Sequence, residues 1–163
     1  MSVLADDRKE SRFEPITFSE TIHDMLTELI QHNFGIKDMD AVVRRQYKAG
    51  KCEPNDYWRY MYLLRNYKTR IDNKASELTS FVRDAYARYP SSLERLEKRR
   101  ELQDCAVSMC WQIVMELQHV VEKFNVDLNL YKRQVEALCR EIELIKKWRQ
   151  RDKKFETCLR GNN

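Results

Sequence analysis

The strongest local charge feature of this sequence lies in residues 146–154 (KKWRQRDKK). The run holds six basic residues and one acidic residue, a net charge of +5, whereas the whole chain of 163 residues carries +4. Such a run suits contacts with phosphate groups, and the indole of Trp148 could stack on an unpaired base. It equally suits the C-terminal end of a helix, where cations offset the helix dipole and Trp148 belongs to the core. The sequence leaves both interpretations open.

A second basic cluster, Lys98-Arg99-Arg100, lies early in the third of four predicted long helical segments. In an antiparallel bundle the start of the third helix and the end of the fourth lie at the same end. The two basic clusters could therefore form one surface. The alternative is that the second cluster is simply a solvated helix face.

Two Glu-x-x-His motifs raise the possibility of a metal enzyme. Glu20 precedes His23 by three residues, and Glu116 precedes His119 in the same way. This spacing matches the ligand pairs of di-iron four-helix bundles, in which two further glutamates complete the site. A di-iron carboxylate bundle is therefore one alternative.

Other features count against a metal site, for which Glu77 and Glu136 would have to supply the remaining carboxylates. Both His23 and His119 flank the apolar stripes of their helices. The first and third helices of an up-down bundle are parallel, so Glu20 and His119 would lie tens of ångströms apart at about 1.5 Å per residue. With three glycines there is no glycine-rich phosphate loop, and no Ser or Cys nucleophile stands in a recognisable motif. We predict a protein that is not an enzyme and has no cofactor or metal.

The elements that position these residues are helices. Charged residues make up 34% of the chain, which contains only 3 Gly and 3 Pro, a composition that favours long solvated helices. We predict a mobile charged tail over residues 1–16. The first helix is predicted to begin at Thr17, where Glu20 completes a capping box, and to end at Gly35. Residues 36–56 are predicted to be an irregular insertion, with a short helix over 38–47.

Three longer helices follow in the prediction. The first begins near Asn55 or Asp56 and stops at Pro90, and apolar residues at 4,3 spacing, among them Met61, Ile71, Leu78 and Val82, predict its buried stripe. A capping box of Ser91 and Glu94 opens the next helix after a tight turn. A break at 125–127 precedes the last helix, with Asp127 as its cap. The predicted fold is all-α: an up-down four-helix bundle with three long helices and a shorter first helix, in a single domain over residues 17–159.

Two smaller observations concern environment and surface. The five cysteines are an odd number without a Cys-x-x-Cys pair, which predicts small buried thiols in a reducing cytoplasm, among them Cys105, Cys110 and Cys139. No stretch is apolar enough for a membrane span. The aromatic residues of the segment 57–67 are typical of core and interface, and they surround the helix on more than one face, which indicates self-association or a protein partner.

Several short stretches resemble those of a known family. They lie mainly within residues 80–155, where they occupy helix surfaces and turns. They comprise the opening residues 1–4 with a charged tail reaching Phe13, Tyr89-Pro90-Ser91, residues 97–100, Gln103-Asp104, Glu116-Leu117-Gln118, Val126-Asp127, Tyr131, residues 141–145, Trp148-Arg149 and Asp152-Lys153. In these stretches the chain resembles the accessory variability determinant proteins of diversity-generating retroelements, which are encoded beside bacterial and phage reverse transcriptases.

The resemblance implies a specific function. Proteins of this family form barrel-shaped homopentamers of four-helix protomers with a basic surface. They bind the reverse transcriptase of the retroelement and its template RNA, and they support the cDNA synthesis that diversifies a target gene. Carried over to this chain, the nucleic-acid-binding candidates are Arg99, Arg100, Lys146, Lys147, Arg149, Arg151, Lys153 and Lys154.

The chain departs from the family in two places. Residues 36–56 look like an insertion relative to short members, and the Gly-Gly-Trp of some members is Lys146-Lys147-Trp148 here. The prediction from sequence is a cytoplasmic accessory protein that binds a reverse transcriptase and RNA or cDNA through a basic surface. The further alternative is a helical protein–protein interaction module without nucleic-acid binding.

Overall fold

The computed structural model describes residues 13–161, which are all-helical and contain no strand. Within this range there are five α-helices: α1 (Glu14–Gln31), α2 (Met39–Lys48), α3 (Tyr57–Ala87), α4 (Leu93–Phe124) and α5 (Lys132–Gly161). Short 3-10 helices, Asn33–Gly35 and Leu128–Tyr131, follow α1 and precede α5. None of the helices in the described range has the length and apolar character needed to cross a bilayer. The all-α prediction is confirmed for these residues, and residues 1–12 of the predicted tail lie outside them.

The long helices pack side by side. Helix α3 contacts α1 and α4, and α5 contacts α4 and α1. Along α3, Arg70 forms an ion pair with Glu116 of α4. Lys74, one turn later, donates to Gln112, one turn earlier on α4, at 2.7 Å. The two helices therefore run antiparallel.

The core of α3 follows the predicted stripe over most of its length. Ile71, Leu78 and Val82 are fully buried, as the 3,4 spacing predicts. Near the start of α3 the buried residue is Tyr60, whereas the sequence pattern favoured Met61, which is partly exposed. The ring of Tyr60 packs edge-on against Phe124 at the end of α4, with centroids 5.9 Å apart. This contact fixes the rotation of α3 and turns the neighbouring side chains outward.

Helix α1 begins three residues earlier than predicted. It starts at Glu14, with Pro15 buried in its first turn, so the prediction of a start at Thr17 is wrong. Proline favours this position because its fixed φ is already helical and its missing N–H has no partner to lose. Glu20 pairs with Arg83 of α3 in place of the predicted capping contact. Residues 14–16 therefore belong to the folded domain.

The short helix predicted over 38–47 is confirmed as α2. The Asp38 carboxylate caps it by accepting from the Ala41 amide at 3.0 Å. Val43 is buried in the core. Gln46 is also buried, and its amide nitrogen donates to the carbonyl of Lys123 at 3.0 Å. The segment between α1 and α3 therefore gives the last turn of α4 a hydrogen-bond donor that the helix itself cannot provide.

The turn after α1 is held to the start of α5. Phe34 and Gly35 both have positive φ, at 54° and 79°. The Tyr131 hydroxyl donates to the Phe34 carbonyl at 2.8 Å, and both side chains are buried. A Cβ on Gly35 would lie 3.0 Å from the Leu130 side chain, so glycine suits this position on two grounds. The sequence placed the end of the first helix at Gly35; this glycine has the left-handed conformation typical of a helix end, but α1 itself ends at Gln31.

The caps of α4 and of the turn before α5 are shifted from those predicted. Ser92, not Ser91, caps α4 by accepting from the Arg95 amide at 3.2 Å. Asp127 caps the short 3-10 helix by accepting from the Asn129 amide at 2.9 Å. The first residue of a helix is set by the side chain that accepts a hydrogen bond from a free amide of the first turn. Ser91 and Ser92 have the same side chain, so the sequence alone does not show which of them accepts it.

All five cysteines are free thiols. Cys110 is buried, as predicted, and burial raises the pKa of its thiol far above the ordinary value. The prediction is wrong for Cys105 and Cys139, which are exposed. Both occupy outward positions of helices whose apolar stripe is narrow.

Candidate nucleic-acid interface

The basic run of residues 146–154 occupies the second half of α5 and is distributed around the helix. Each residue advances an α-helix by about 100°, so nine residues cover its whole circumference. Trp148 and Asp152 are both buried, each with 2% of its surface exposed. The six basic residues lie on the remaining circumference, and they do not form one continuous face.

The buried side of the run is built around an internal ion pair. The Asp152 carboxylate accepts from Nε of Arg99 at 2.9 Å and from Nη2 at 3.0 Å. Gln103 adds a hydrogen bond to the same carboxylate at 3.0 Å, and the remaining Arg99 nitrogen donates to the Arg88 carbonyl at 3.3 Å. All three nitrogens of the guanidinium therefore have acceptors inside the protein. The structure places Arg99 in the interior and not on the predicted basic surface.

Trp148 is part of the same interior cluster. The Arg99 guanidinium carbon lies 4.7 Å from the Trp148 ring centroid. The Phe13 ring packs edge-on against the indole at 4.8 Å and stacks on Tyr86 at the same distance. With its ring covered in this way, Trp148 is a core residue, and it offers no face on which a base could stack. We call Arg99, Gln103, Trp148 and Asp152 the inner cluster.

The predicted proximity of the two basic clusters is confirmed, but its consequence is ion pairing. The start of α4 lies beside the end of α5, and carboxylates stand between their cations. Three of the predicted contact residues pair with acidic side chains: Arg100 with Glu156 at 2.6 Å, Lys146 with Glu143 at 2.9 Å, and Arg149 with Asp104. Exposed pairs of this kind contribute little to stability, but each reduces the local positive charge.

The cations of the run that have no carboxylate partner among the described residues lie mainly on another side of α5. Lys147, Arg151 and Lys154 are exposed at positions i, i+4 and i+7, which share one face of a helix. No ion-pair partner for any of them occurs within residues 13–161. We call these three residues the outer stripe. Lys153 is also exposed and without such a partner in the described range, but it lies beside Arg100 and Arg149.

The outer stripe forms one wall of a surface groove between α5 and the start of α1. The groove has a volume of about 660 Å³; Glu14 and Pro15 form its α1 side, and Glu143, which pairs with Lys146, also lines it. Arg140 continues the cationic wall but pairs with Glu14 at 3.1 Å. A concave surface lined mainly by one sign of charge focuses the field and attracts ions of the opposite sign. The groove therefore suits a polyanionic chain.

Glu141, on the buried side of α5, was not singled out by the sequence pattern. It is fully buried, and neither carboxylate oxygen has a hydrogen-bond partner among the described residues. Burial, aided by the nearby charge of Glu14 and opposed by Arg140, raises the pKa of Glu141 to about 8. This glutamate therefore holds a proton at neutral pH and contributes no charge to the groove.

The residues of the di-iron alternative do not come together. Glu20 and Glu116 form ion pairs with Arg83 and Arg70. His23 has its Nε2 atom 3.6 Å from a carboxylate oxygen of Asp72. Among residues 13–161 there is no group of three or more His, Cys, Asp or Glu side chains placed to hold a metal ion. The two Glu-x-x-His motifs thus serve other contacts in this fold.

A second surface lies at the other end of α1 and was assigned by sequence to core or interface. Trp58 is 78% exposed and Tyr62 is 64% exposed, with Met61 between them. We call these three residues the aromatic patch. They line a surface cavity of about 440 Å³ together with Asn33, Leu64, Arg65 and Lys68. The run of aromatic residues around α3 was the sequence signal, but only the rotation fixed by Tyr60 shows which of them face outward.

No protein-family model matches this sequence, and comparisons with curated proteins and with solved structures likewise give no match.

Proposed function

We propose that this protein is a non-enzymatic accessory protein of a reverse transcriptase, and that it binds structured template RNA through the outer stripe. The resemblance to the retroelement accessory family supports the choice of partner. In this proposal the protein acts in the cytoplasm as a scaffold: its cations position the RNA, and the polymerase supplies the chemistry of cDNA synthesis.

The observation that carries the proposal is the outer stripe itself. Lys147, Arg151 and Lys154 are the candidate cations that share one face of α5 and have no ion-pair partner among the described residues. At about 1.5 Å per residue, they span roughly 10 Å of the helix. This length corresponds to about three nucleotides of one strand, at about 3.4 Å of duplex axis for each phosphate. The groove beside them gives a strand a place to lie.

The proposal includes an architecture for the assembly. The contacts of α1, α3, α4 and α5 support an up-down four-helix bundle, with α2 packed on one end. The resemblance further implies a homopentamer, in which five copies of the outer stripe would be repeated around one axis. Repetition of a weak phosphate-binding site is an effective way to hold a long RNA, because each later contact is intramolecular.

A charge-reversal variant tests RNA binding directly. We expect the variant Lys147→Glu, Arg151→Glu and Lys154→Glu to lose at least tenfold of its affinity for a fluorescent RNA hairpin, measured by anisotropy. Three phosphate contacts also predict that the affinity of the unmodified protein falls with salt, with a log–log slope of about −2 to −3. The variant should show a log–log slope that is less steep by about 2 to 3, the share of the three lost contacts.

A matched control separates local contact from net charge. The variant Lys37→Glu, Lys48→Glu and Lys51→Glu changes the net charge equally, from +4 to 4 − 6 = −2, at exposed positions near the opposite end of α5. We expect it to keep most of the affinity. Equal losses of RNA affinity in both variants would show that binding depends on the overall charge of the protein and not on the outer stripe. Absence of RNA binding by the unmodified protein at about 50 mM salt would favour a helical interaction module instead.

A further inference from the structure

The aromatic patch consists of large apolar side chains that the fold leaves mainly exposed. Tyr60, within the same turn, is 3% exposed and belongs to the core, whereas Trp58 and Tyr62 point away from it with 78% and 64% of their surfaces exposed. Tryptophan is highly buried on average in folded proteins. An exposed cluster of large apolar side chains generally marks a binding site. Since Tyr60 already anchors α3, the patch has no evident role in folding.

The charges around the patch favour an anionic occupant. The cavity lined by Trp58 and Tyr62 also contains two cations, Arg65 and Lys68, and no acidic side chain lines it. Arg65 is exposed and has no ion-pair partner within the described part of the chain. Lys68 donates to the side-chain oxygen of Asn33 at 2.5 Å, which holds its ammonium group at the rim of the cavity. Aromatic faces beside unpaired cations are the elements by which proteins hold single-stranded nucleic acids.

The spacing along α3 also suits a nucleobase. Side chains four residues apart on a helix have Cβ atoms about 5–6 Å apart. A base between two rings needs them about 6.8 Å apart, since stacked bases are separated by about 3.4 Å. Trp58 packs edge-on against Tyr57, with centroids 5.3 Å apart and planes at 87°, and this contact orients its indole. The side chains of Trp58 and Tyr62, four residues apart on the helix, are therefore within reach of the same base.

We infer that the aromatic patch binds an unpaired base of single-stranded RNA, while Arg65 and Lys68 contact the adjoining phosphates. This inference rests on the proposed RNA binding but uses a different surface, because the patch and the outer stripe lie at opposite ends of α1. Helix α1 has 18 residues and is thus about 27 Å long. A structured RNA held at the outer stripe would place a single-stranded flank within reach of the patch.

The test compares two RNA probes and three tryptophan variants. The probes are an unstructured 12-nucleotide RNA and a blunt duplex containing the same strand. We expect Trp58→Ala to weaken binding of the single strand by about 5- to 150-fold, the value of one stacked base, and to leave duplex affinity unchanged. Trp58→Phe keeps an aromatic face and should restore most of the loss. Trp111→Ala, which removes a half-exposed tryptophan on α4, should change neither affinity.

The outcomes separate this inference from the proposed function. If Trp58→Ala binds the single strand as tightly as the unmodified protein, the inference is overturned, and duplex binding through the outer stripe is unaffected. If that variant instead changes the mass of the assembly in native mass spectrometry without changing affinity, the patch is an interface between copies and the inference again fails. If duplex binding does not depend on the outer stripe, the proposed function fails, while the single-strand result still decides the role of Trp58.

Discussion

The second half of α5 has two sides with opposite environments: one faces the interior and Arg99 of α4, and the other faces solvent. On the inner side, Arg99 and Asp152 form a buried pair under the Trp148 ring. On the outer side, Lys147 and Arg151 stand in solvent with no carboxylate partner in the described range. The helical repeat therefore places one part of the charged run in the interior and another part in solvent. Charge density along a sequence does not say which charges remain available to a ligand.

The inner side should be the most sensitive to substitution. Replacing Asp152 with Ala leaves the Arg99 guanidinium buried without its partner, and loss of one member of a buried pair costs about 3–5 kcal/mol of unfolding free energy. Urea denaturation measures this loss. The double replacement Arg99→Met with Asp152→Leu should recover most of the stability, because two apolar side chains leave no charge behind. A single variant as stable as the unmodified protein would show that the pair is not desolvated.

Glu141 provides the contrasting case of a buried acid without a partner. Because burial raises its pKa to about 8 from an ordinary value of 4.5, the fold favours the protonated form. Its contribution to stability is fully present below about pH 4.5 and is lost as the pH rises towards 8. We expect Glu141→Met to be more stable than the unmodified protein by about 2–4 kcal/mol at pH 9, with a smaller difference at pH 5. Thermal denaturation at the two pH values measures this change, and a pH-independent difference would mean that the pKa of Glu141 is the same in the folded and unfolded chain.

The outer side should be the least sensitive in stability. The reversal of Lys147, Arg151 and Lys154 to Glu removes no contact with a carboxylate, and surface substitutions of this kind change the unfolding free energy by about 0.5 kcal/mol or less each. The same denaturation experiment, run beside Asp152→Ala, compares the two sides on one scale. A large loss of stability in the reversal variant would indicate that the outer stripe serves the fold, and its loss of RNA binding could no longer be attributed to phosphate contacts.

The features predicted well from sequence are those set by local patterns. The all-helical class, the buried stripe of α3 and the short helix α2 follow from periodicity and caps. The adjacency of the two basic clusters follows from antiparallel packing. These predictions need only the helical repeat and the order of the helices along the chain.

The errors arise where the rotation of one helix against another decides the result. Nothing in the sequence shows that Arg99 faces Asp152, because both residues lie in runs of charged residues that are typical of an exposed helix face. The sequence left Trp148 with both a binding role and a core role. Its indole is covered in part by Phe13, a residue that was predicted to lie in the charged tail. The sequence offered Trp148 as one candidate for base stacking, but the fold buries Trp148 and leaves Trp58 exposed. The exposure of Trp58 depends on the burial of Tyr60 against Phe124.

The contact between Gln46 and the Lys123 carbonyl has a consequence for how the protein could change by deletion. Residues 36–56 were predicted from sequence to be an irregular insertion, and an insertion of that kind is normally dispensable. Here the segment fills part of the core with Val42 and Val43 and caps a helix far away in sequence. A shortened chain joining α1 directly to α3 would uncover these sites, so the segment is a structural part of the domain.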